Sequence, residues 1–269
     1  MQHVTTLAVA SGVGLLSGTH TAIWGMYKDA VHEGFTVRTF VRSIIVGAFV
    51  AAVIQWAFRL PIPEPGALVL LFGLAYAGER GIVEVWKTFF RDEDQSKYFI
   101  PMQFAIGGEP VKSRATRIGV GIAYIIVVSA ALYGISRLDF ARDSSPSRLT
   151  AALVGFAVGI VIAIGGGWKD APKEGFDLLK FFRSPILTVI YSVLLSRFTD
   201  SYLLMACGSI GFERATAETY KTFFFPSKPR GKFSGKPILF PQMLKQRQYF
   251  VPVYVAIWAA VLVCVSIAV

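Results

Sequence analysis

The chain has 269 residues, of which 54% are apolar and only 16% are charged, and its mean hydropathy is +0.55. A soluble domain has about 45–50% apolar and about 25% charged residues, so this composition excludes an ordinary soluble protein. The net charge of +10 is therefore interpreted as a membrane orientation signal, and not as a sign of nucleic-acid binding.

Apolar runs follow one another along the whole chain and predict an all-α integral membrane protein of about eight transmembrane helices. A helix needs about 20 apolar residues to cross the hydrocarbon layer, and several runs reach that length only with polar residues at one end. The predicted helices contain residues 7–26, 43–58, 67–78, 118–135, 149–167, 184–196, 201–211 and 249–269.

Lysine and arginine are concentrated in the connections that follow the first, third, fifth and seventh predicted helices. Basic residues mark cytoplasmic loops. The sequence thus predicts that these long basic loops are cytoplasmic and that both termini lie outside. For the location we expect a multi-pass protein of the plasma membrane.

Two charged motifs each occur twice in the chain. KDAVHEGF at 28–35 matches KDAPKEGF at 169–176 in six of eight positions, and ERGIVEVWKTFF at 79–90 matches ERATAETYKTFF at 213–224 in seven of twelve. An even number of crossings per unit gives parallel repeats. We predict two tandem four-helix repeats, 1–137 and 138–269, related by a pseudo-two-fold axis along the membrane normal.

The first motif predicts an anion site at the cytoplasmic interface. The first and fifth helices are expected to end near Gly25 and near Gly165–Gly167, and Ser43 and Ser184 are expected to cap the N-termini of the next helices. A helix N-terminus attracts anions. Beside these caps stand the basic residues of the predicted substrate site, which are Lys28, Arg42, Lys169 and Arg183.

A structural alternative for the same motif is a locked interfacial turn. In that arrangement Arg42 and Arg183 pair with the acids that precede them instead of binding a phosphate. The acids are Asp29, Glu33, Asp170 and Glu174.

The second motif places acid and base together near the middle of the third and seventh predicted helices. A charge at the helix centre costs roughly 2.5–3.5 kcal/mol on insertion scales, so these residues must be paired or face water. Within each helix the spacing predicts a ladder of ion pairs through Glu84 and Lys87, and through Glu218 and Lys221. Such a ladder leaves Glu79 and Glu213 to find a cation across the bundle or to be protonated.

Two interpretations of this second motif stay open. In the first, a substrate site at the pseudo-symmetry axis is lined by Glu79, Arg80, Glu213 and Arg214, with Glu79 and Glu213 coupling transport to protons. In the second, the same charges are buried ion pairs that hold the two halves together.

The segment 226–248 contains six basic residues and no acid. Each basic residue near an anionic leaflet contributes about 1 kcal/mol of attraction. We expect this loop to contact anionic membrane lipids and regard it as a possible site for a protein partner.

The sequence lacks histidine pairs at metal-ligand spacing and the common hydrolase and nucleotide-binding motifs. It therefore predicts no metal site, names no cofactor and favours a protein that is not an enzyme. We expect a transporter or lipid flippase that binds an anionic, phosphate-bearing or zwitterionic cargo between two pseudo-symmetric halves. The alternative is a non-catalytic membrane subunit or scaffold whose repeated charges are structural.

Overall fold

The chain is all-helical in the computed structural model, which describes residues 2–140, 146–226 and 231–269, without the side chains of residues 2, 3 and 140. Those ranges contain eight helices of at least 18 residues, one short helix and a two-stranded hairpin formed by Ala105–Ile106 and Glu109–Pro110. The helices are α1 (Gln2–Glu33), α2 (Val37–Phe58), α3 (Pro65–Val85), α4 (Arg114–Phe140), α5 (Arg148–Glu174), α6 (Leu178–Leu195), α7 (Tyr202–Phe223), α8 (Met243–Gln246) and α9 (Val251–Ala268).

Seven helical segments of the described chain are long and apolar enough to cross a membrane. They include all the long helices except α7, and they indicate a multi-pass membrane protein. The sequence predicts about eight spans, and α7 is the one that falls short by composition. Four charged residues in its second half lower its hydropathy, namely Glu213, Arg214, Glu218 and Lys221.

Helices α3 and α7 form the centre of the bundle and touch through their backbones. A Cβ atom added to Gly211 would lie 1.9 Å from the carbonyl oxygen of Gly73, so only glycine allows this approach. Around the contact pack the buried side chains of Phe72, Tyr76 and Phe212. This pairing brings the two charged helix centres into the same core.

The other long helices surround this central pair. Helix α1 packs along α2, α5 packs along α6, and both of these hairpins also contact the central helices. The two remaining helices lie at the periphery, where α9 packs on α1 and α3 and α4 packs on α7 and on the π-helical turn Trp86–Phe90.

The connections after α1, α3, α5 and α7 meet at one end of the bundle. Lys236 donates to the backbone carbonyl of Ser96 at 2.9 Å, and the backbone N–H of Phe99 donates to the carbonyl of Lys232 at 2.7 Å. Lys173 pairs with Glu109 at 2.7 Å. Much of the basic loop 226–248 is therefore folded back onto its own chain, while Lys228 and Arg230 of that loop lie outside the described residues.

The predicted helix ends are wrong at the first motif. Helices α1 and α5 continue through it to Glu33 and Glu174, and the following Gly34 and Gly175 have φ angles of 77° and 80°. Positive φ is the conformation in which glycine commonly ends a helix. In α1 and α5 the apolar run ends before the helix does, because the last helical turns carry charged residues that pair with side chains of the loops.

The predicted N-caps are wrong for the same reason. Helix α2 begins at Val37 after Thr36, and α6 begins at Leu178, where the carboxylate of Asp177 accepts the N–H of Lys180 at 3.1 Å. Ser43 and Ser184 lie inside these helices and are buried. The anion site consequently cannot use the N-termini of α2 and α6 in the way that the sequence predicts.

Candidate functional site

Two cavities lie at the charged end of the bundle, one beside each helix hairpin. The α1–α2 cavity, about 280 Å³, is lined by the end of α1, the start of α2 and side chains of α3. The α5–α6 cavity, about 70 Å³, is lined by the end of α5, the start of α6 and side chains of α7. Each cavity thus combines both repeated motifs.

The linings correspond residue by residue to the repeated sequence. The charged, aromatic and hydroxyl residues that both cavities present at matching positions are Asp29 and Asp170, Phe35 and Phe176, Phe40 and Phe181, Arg42 and Arg183, Ser43 and Ser184, Arg80 and Arg214, and Lys87 and Lys221.

The two cavities do not match the expected single space between α3 and α7. Although α3 and α7 are in backbone contact at Gly73 and Gly211, Arg80 lines the α1–α2 cavity, whereas Glu213 and Arg214 line the α5–α6 cavity. Three residues of the predicted substrate site line neither cavity, namely Lys28, Glu79 and Lys169.

The acids of the α1–α2 cavity are neutralised from the loops. Lys232 lies 2.9 Å from Asp29 and 3.4 Å from Glu33, and the hydroxyl of Tyr98 donates to Glu33 at 2.8 Å. Lys97 also pairs with Glu33 at 3.5 Å. Burial opposes the charge of Lys232, but the two carboxylates outweigh it and raise the pKa of Lys232, which keeps this lysine protonated at neutral pH.

The acids of the α5–α6 cavity share one lysine. Lys180 lies 2.9 Å from Asp170 and 2.6 Å from Glu174. The alternative prediction, that Arg42 and Arg183 bind these acids, is therefore wrong in both hairpins. The acids are bound instead by Lys232, Lys97 and Lys180, for which the sequence predicts no such role. Lys97 and Lys232 come from loops, and no local sequence pattern specifies how those loops fold.

Arg42 and Arg183 are thus left without a carboxylate partner. Neither forms an ion pair or a hydrogen bond within the described chain, and the Nε atom of each is buried without a partner. A guanidinium group carries five donors in a fixed fork that matches carboxylate and phosphate oxygens. These two arginines are the groups best suited to receive an anion.

Glu79 finds its cation next to it in the sequence. Arg80 donates to both oxygens of the fully buried Glu79 carboxylate, from Nε at 2.6 Å and from Nη2 at 2.9 Å. The expectation that Glu79 needs a cation across the bundle, or a proton, is wrong. The pair is instead internal to α3.

Glu213 has a different environment at the equivalent place in α7. One oxygen accepts a hydrogen bond from the hydroxyl of Ser184 at 2.7 Å, and Oε2 is buried without a partner in the described chain. Arg214 does not bind Glu213 and lies 3.4 Å from Glu218. The two Glu-Arg motifs therefore have the same sequence but different hydrogen bonding.

The predicted ion-pair ladders are present in both central helices. Arg80 lies 3.6 Å and Lys87 3.9 Å from Glu84, while Lys221 lies 3.5 Å from Glu218. Lys28 of α1 also reaches Glu218 of α7, at 3.6 Å. This last pair is an ion pair between a residue of 1–137 and a residue of 138–269.

A buried aromatic network around His20 was not predicted. The Nε1–H of Trp24 donates to the hydroxyl of Tyr76 at 2.6 Å, and that hydroxyl lies 3.3 Å from Nδ1 of His20. The His20 ring is stacked on Tyr254 with centroids 4.0 Å apart. Within the described chain, no three His, Cys, Asp or Glu side chains are grouped so that they could hold a metal ion.

Comparison with known proteins gives no relative from which a role could be transferred. No family model, curated protein or solved structure matches the chain. The function must be argued from the two cavities and the charges around them.

Proposed function

We propose that the chain is a membrane carrier, a transporter or lipid flippase, that binds an anionic, phosphate-bearing or zwitterionic cargo in its two cavities. The observation that carries this proposal is the presence in each cavity of one arginine, Arg42 or Arg183, without a carboxylate partner. A partly buried cation is costly without a counter-ion. An anionic ligand supplies that counter-ion when it binds.

Equivalent packing in the two hairpins supports the further proposal of two repeats, 1–137 and 138–269, around an axis along the membrane normal. A Cβ on Gly14 would meet the backbone of Gly47, and one on Gly155 would meet the backbone of Thr188. Both members of the second pair lie 141 positions after those of the first. The paired cavities, with their matching linings, give the same support.

The orientation is proposed from charge, and the meeting of the basic loops at one end supports it. We place these loops in the cytoplasm of a plasma-membrane protein, with both termini outside and with anionic lipids as neighbours of the loops. Proton coupling is proposed for Glu213, whose Oε2 is unpartnered. The double hydrogen bond from Arg80 gives Glu79 no equivalent support for the same role.

Transport by the reconstituted protein tests the proposal. Purified protein in liposomes should move a short-chain fluorescent phospholipid between leaflets, as measured by quenching with an impermeant reductant. Replacing both Arg42 and Arg183 by Gln should reduce the rate about tenfold or more, because each loses a charge-assisted hydrogen bond to the cargo. Arg148→Gln, an exposed change at the start of α5, is the control.

A second candidate function is a non-catalytic subunit or scaffold, and the internal use of the charges favours it. Glu84 and Glu218 are paired within their helices, and Lys28 bridges to Glu218. Native mass spectrometry after mild extraction separates the two functions. A stoichiometric protein partner, together with unchanged lipid movement in the double Arg42 and Arg183 variant, would support the scaffold and overturn the carrier.

A further inference from the structure

The charged groups of the α5–α6 cavity are paired except for one cation and one carboxylate oxygen. Asp170 is held by Lys180, and Arg214 and Lys221 both contact Glu218. Asp177 caps α6. What remains among the lining residues is the guanidinium of Arg183 and the carboxylate of Glu213, whose Nε and Oε2 atoms respectively are buried and lack a partner in the described chain.

These two groups do not satisfy each other. Arg183 and Glu213 form no ion pair, although Ser184, the residue after Arg183, donates to the other oxygen of Glu213. A buried charged group without a partner is expensive, so each group calls for a ligand atom of opposite character. Arg183 needs an acceptor of negative charge, and Glu213 needs an N–H or O–H donor.

We infer that the α5–α6 cavity binds a zwitterionic group in which an oxyanion lies close to an ammonium with N–H donors. The oxyanion accepts from Arg183 and the ammonium donates to Oε2 of Glu213. This inference rests on the proposed carrier function and names the class of its cargo.

The size and lining of the cavity agree with such a group. A cavity of about 70 Å³ has room for a small polar group, since a single water molecule needs about 10–15 Å³. Phe176 and Phe181 line the same space and offer apolar contact to carbon atoms of the ligand. A simple anion would place its charge beside Glu213, and a simple cation would place its charge beside Arg183, so each is opposed by one of the two groups.

The α1–α2 cavity provides the contrast within the same molecule. Arg42 is again unpaired, but Glu79 does not line that cavity and both of its oxygens are bound by Arg80. The carboxylate oxygen left without a hydrogen bond there is Oδ1 of Asp29, and Lys232 lies 2.9 Å from the other oxygen of that carboxylate and neutralises it. Because Glu213 forms no ion pair in the described chain, the zwitterion is assigned to the α5–α6 cavity.

Binding measurements on the intact protein in detergent micelles test the inference. The probes are dihexanoyl phosphatidylethanolamine, the corresponding phosphatidylcholine, the corresponding phosphatidic acid, and free phosphoethanolamine. In the wild-type protein the ethanolamine lipid should bind about tenfold or more tightly than the choline lipid, whose quaternary ammonium has no N–H to donate. If free phosphoethanolamine binds with an affinity similar to that of the ethanolamine lipid, the head group alone is the ligand. If it binds more weakly, the lipid is the ligand.

Variants assign the contact to residues. Glu213→Gln should reduce affinity for the ethanolamine lipid about tenfold and leave affinity for the choline lipid unchanged, whereas Arg183→Gln should weaken both. Glu109→Gln, which removes an exposed carboxylate at the loop hairpin, should change neither. Glu213→Asp keeps the charge and should retain the preference for ethanolamine.

Each result supports or overturns the inference. Equal affinity of the wild-type protein for the ethanolamine and choline lipids overturns it, and this comparison needs no variant to fold. Binding of phosphatidic acid that depends on Arg42, without any preference for ethanolamine, overturns the zwitterion and leaves the carrier standing. Failure of all four probes to bind overturns both.

Discussion

At the scale of single residues, the sequence predicts buried charges but cannot distinguish Glu79 from Glu213. The difference arises from a neighbour on another helix. The guanidinium of Arg80 lies over the ring of Trp24, 5.4 Å from its centroid, and is held against Glu79. In the second of the proposed repeats the position equivalent to Trp24, 141 residues later, is Gly165, which has no ring. Arg214 contacts Glu218 there instead.

This difference predicts unequal effects of the same substitution. Glu79→Gln leaves Arg80 buried without its bidentate partner and should lower the free energy of unfolding by about 3–5 kcal/mol. Glu213→Gln removes no ion pair, so the free energy of unfolding should fall several-fold less in this variant than in Glu79→Gln. Unfolding of both variants in detergent, followed by circular dichroism, measures the two losses. Equal losses would contradict the hydrogen bonding described for the two carboxylates.

At the scale of elements, hydropathy predicts which segments are helical better than it predicts where they end. Each apolar run corresponds to one long helix, to within two residues where a run extends past the helix end, because apolar residues must be buried or face lipid. The ends at Glu33 and Glu174 were missed because the final turns are stabilised by lysines from elsewhere, such as Lys232 and Lys180. That stabilisation depends on how the loops fold, and the hydrophobic pattern within α1 or α5 cannot predict the fold of the loops.

Close contact between α3 and α7 predicts a glycine requirement at one position. Gly211→Ala would drive a methyl group into the Gly73 carbonyl, 1.9 Å away, and should lower the unfolding free energy by about 3 kcal/mol or more through overpacking. The matched control is Gly81→Ala on α3. No atom lies within 4 Å of a Cβ at that position, so alanine there should be neutral or stabilising by about 0.5–1 kcal/mol. Similar unfolding midpoints for the two variants would contradict the described packing.

At the scale of the whole molecule, the all-helical class and the multi-pass character were predictable from composition and run length. The duplication was visible in residues 28–35 and 169–176, and it stays a prediction that the paired cavities support. The separation of the charges into two cavities was not predictable. It depends on the direction in which each central helix faces, which is set by its packing against the other helices and not by the sequence of the motif.

The gathering of the basic loops at one end predicts a labelling pattern. Single cysteines placed at Asp94 and Lys245, in a background without Cys207 and Cys264, should react with an impermeant maleimide only from the cytoplasmic side. Cysteines at Arg59 and Arg148 should react only from the opposite side, because one helix separates each from a basic loop. Reaction of Asp94→Cys and Lys245→Cys from opposite sides would contradict the arrangement, and reaction of both from outside would reverse the orientation.

The self-contained Glu79–Arg80 pair has a consequence for biosynthesis. Helix α3 leaves the ribosome long before α7 and α9, the two later helices on which it packs. Because Arg80 and Glu79 neutralise each other at 2.6 Å, this buried pair needs no partner from the later helices when the nascent α3 enters the lipid bilayer. Glu213 has no such neighbour, but α6 with Ser184 has already been synthesised when α7 emerges. The order of synthesis therefore matches the order in which each carboxylate gains its hydrogen-bond donor.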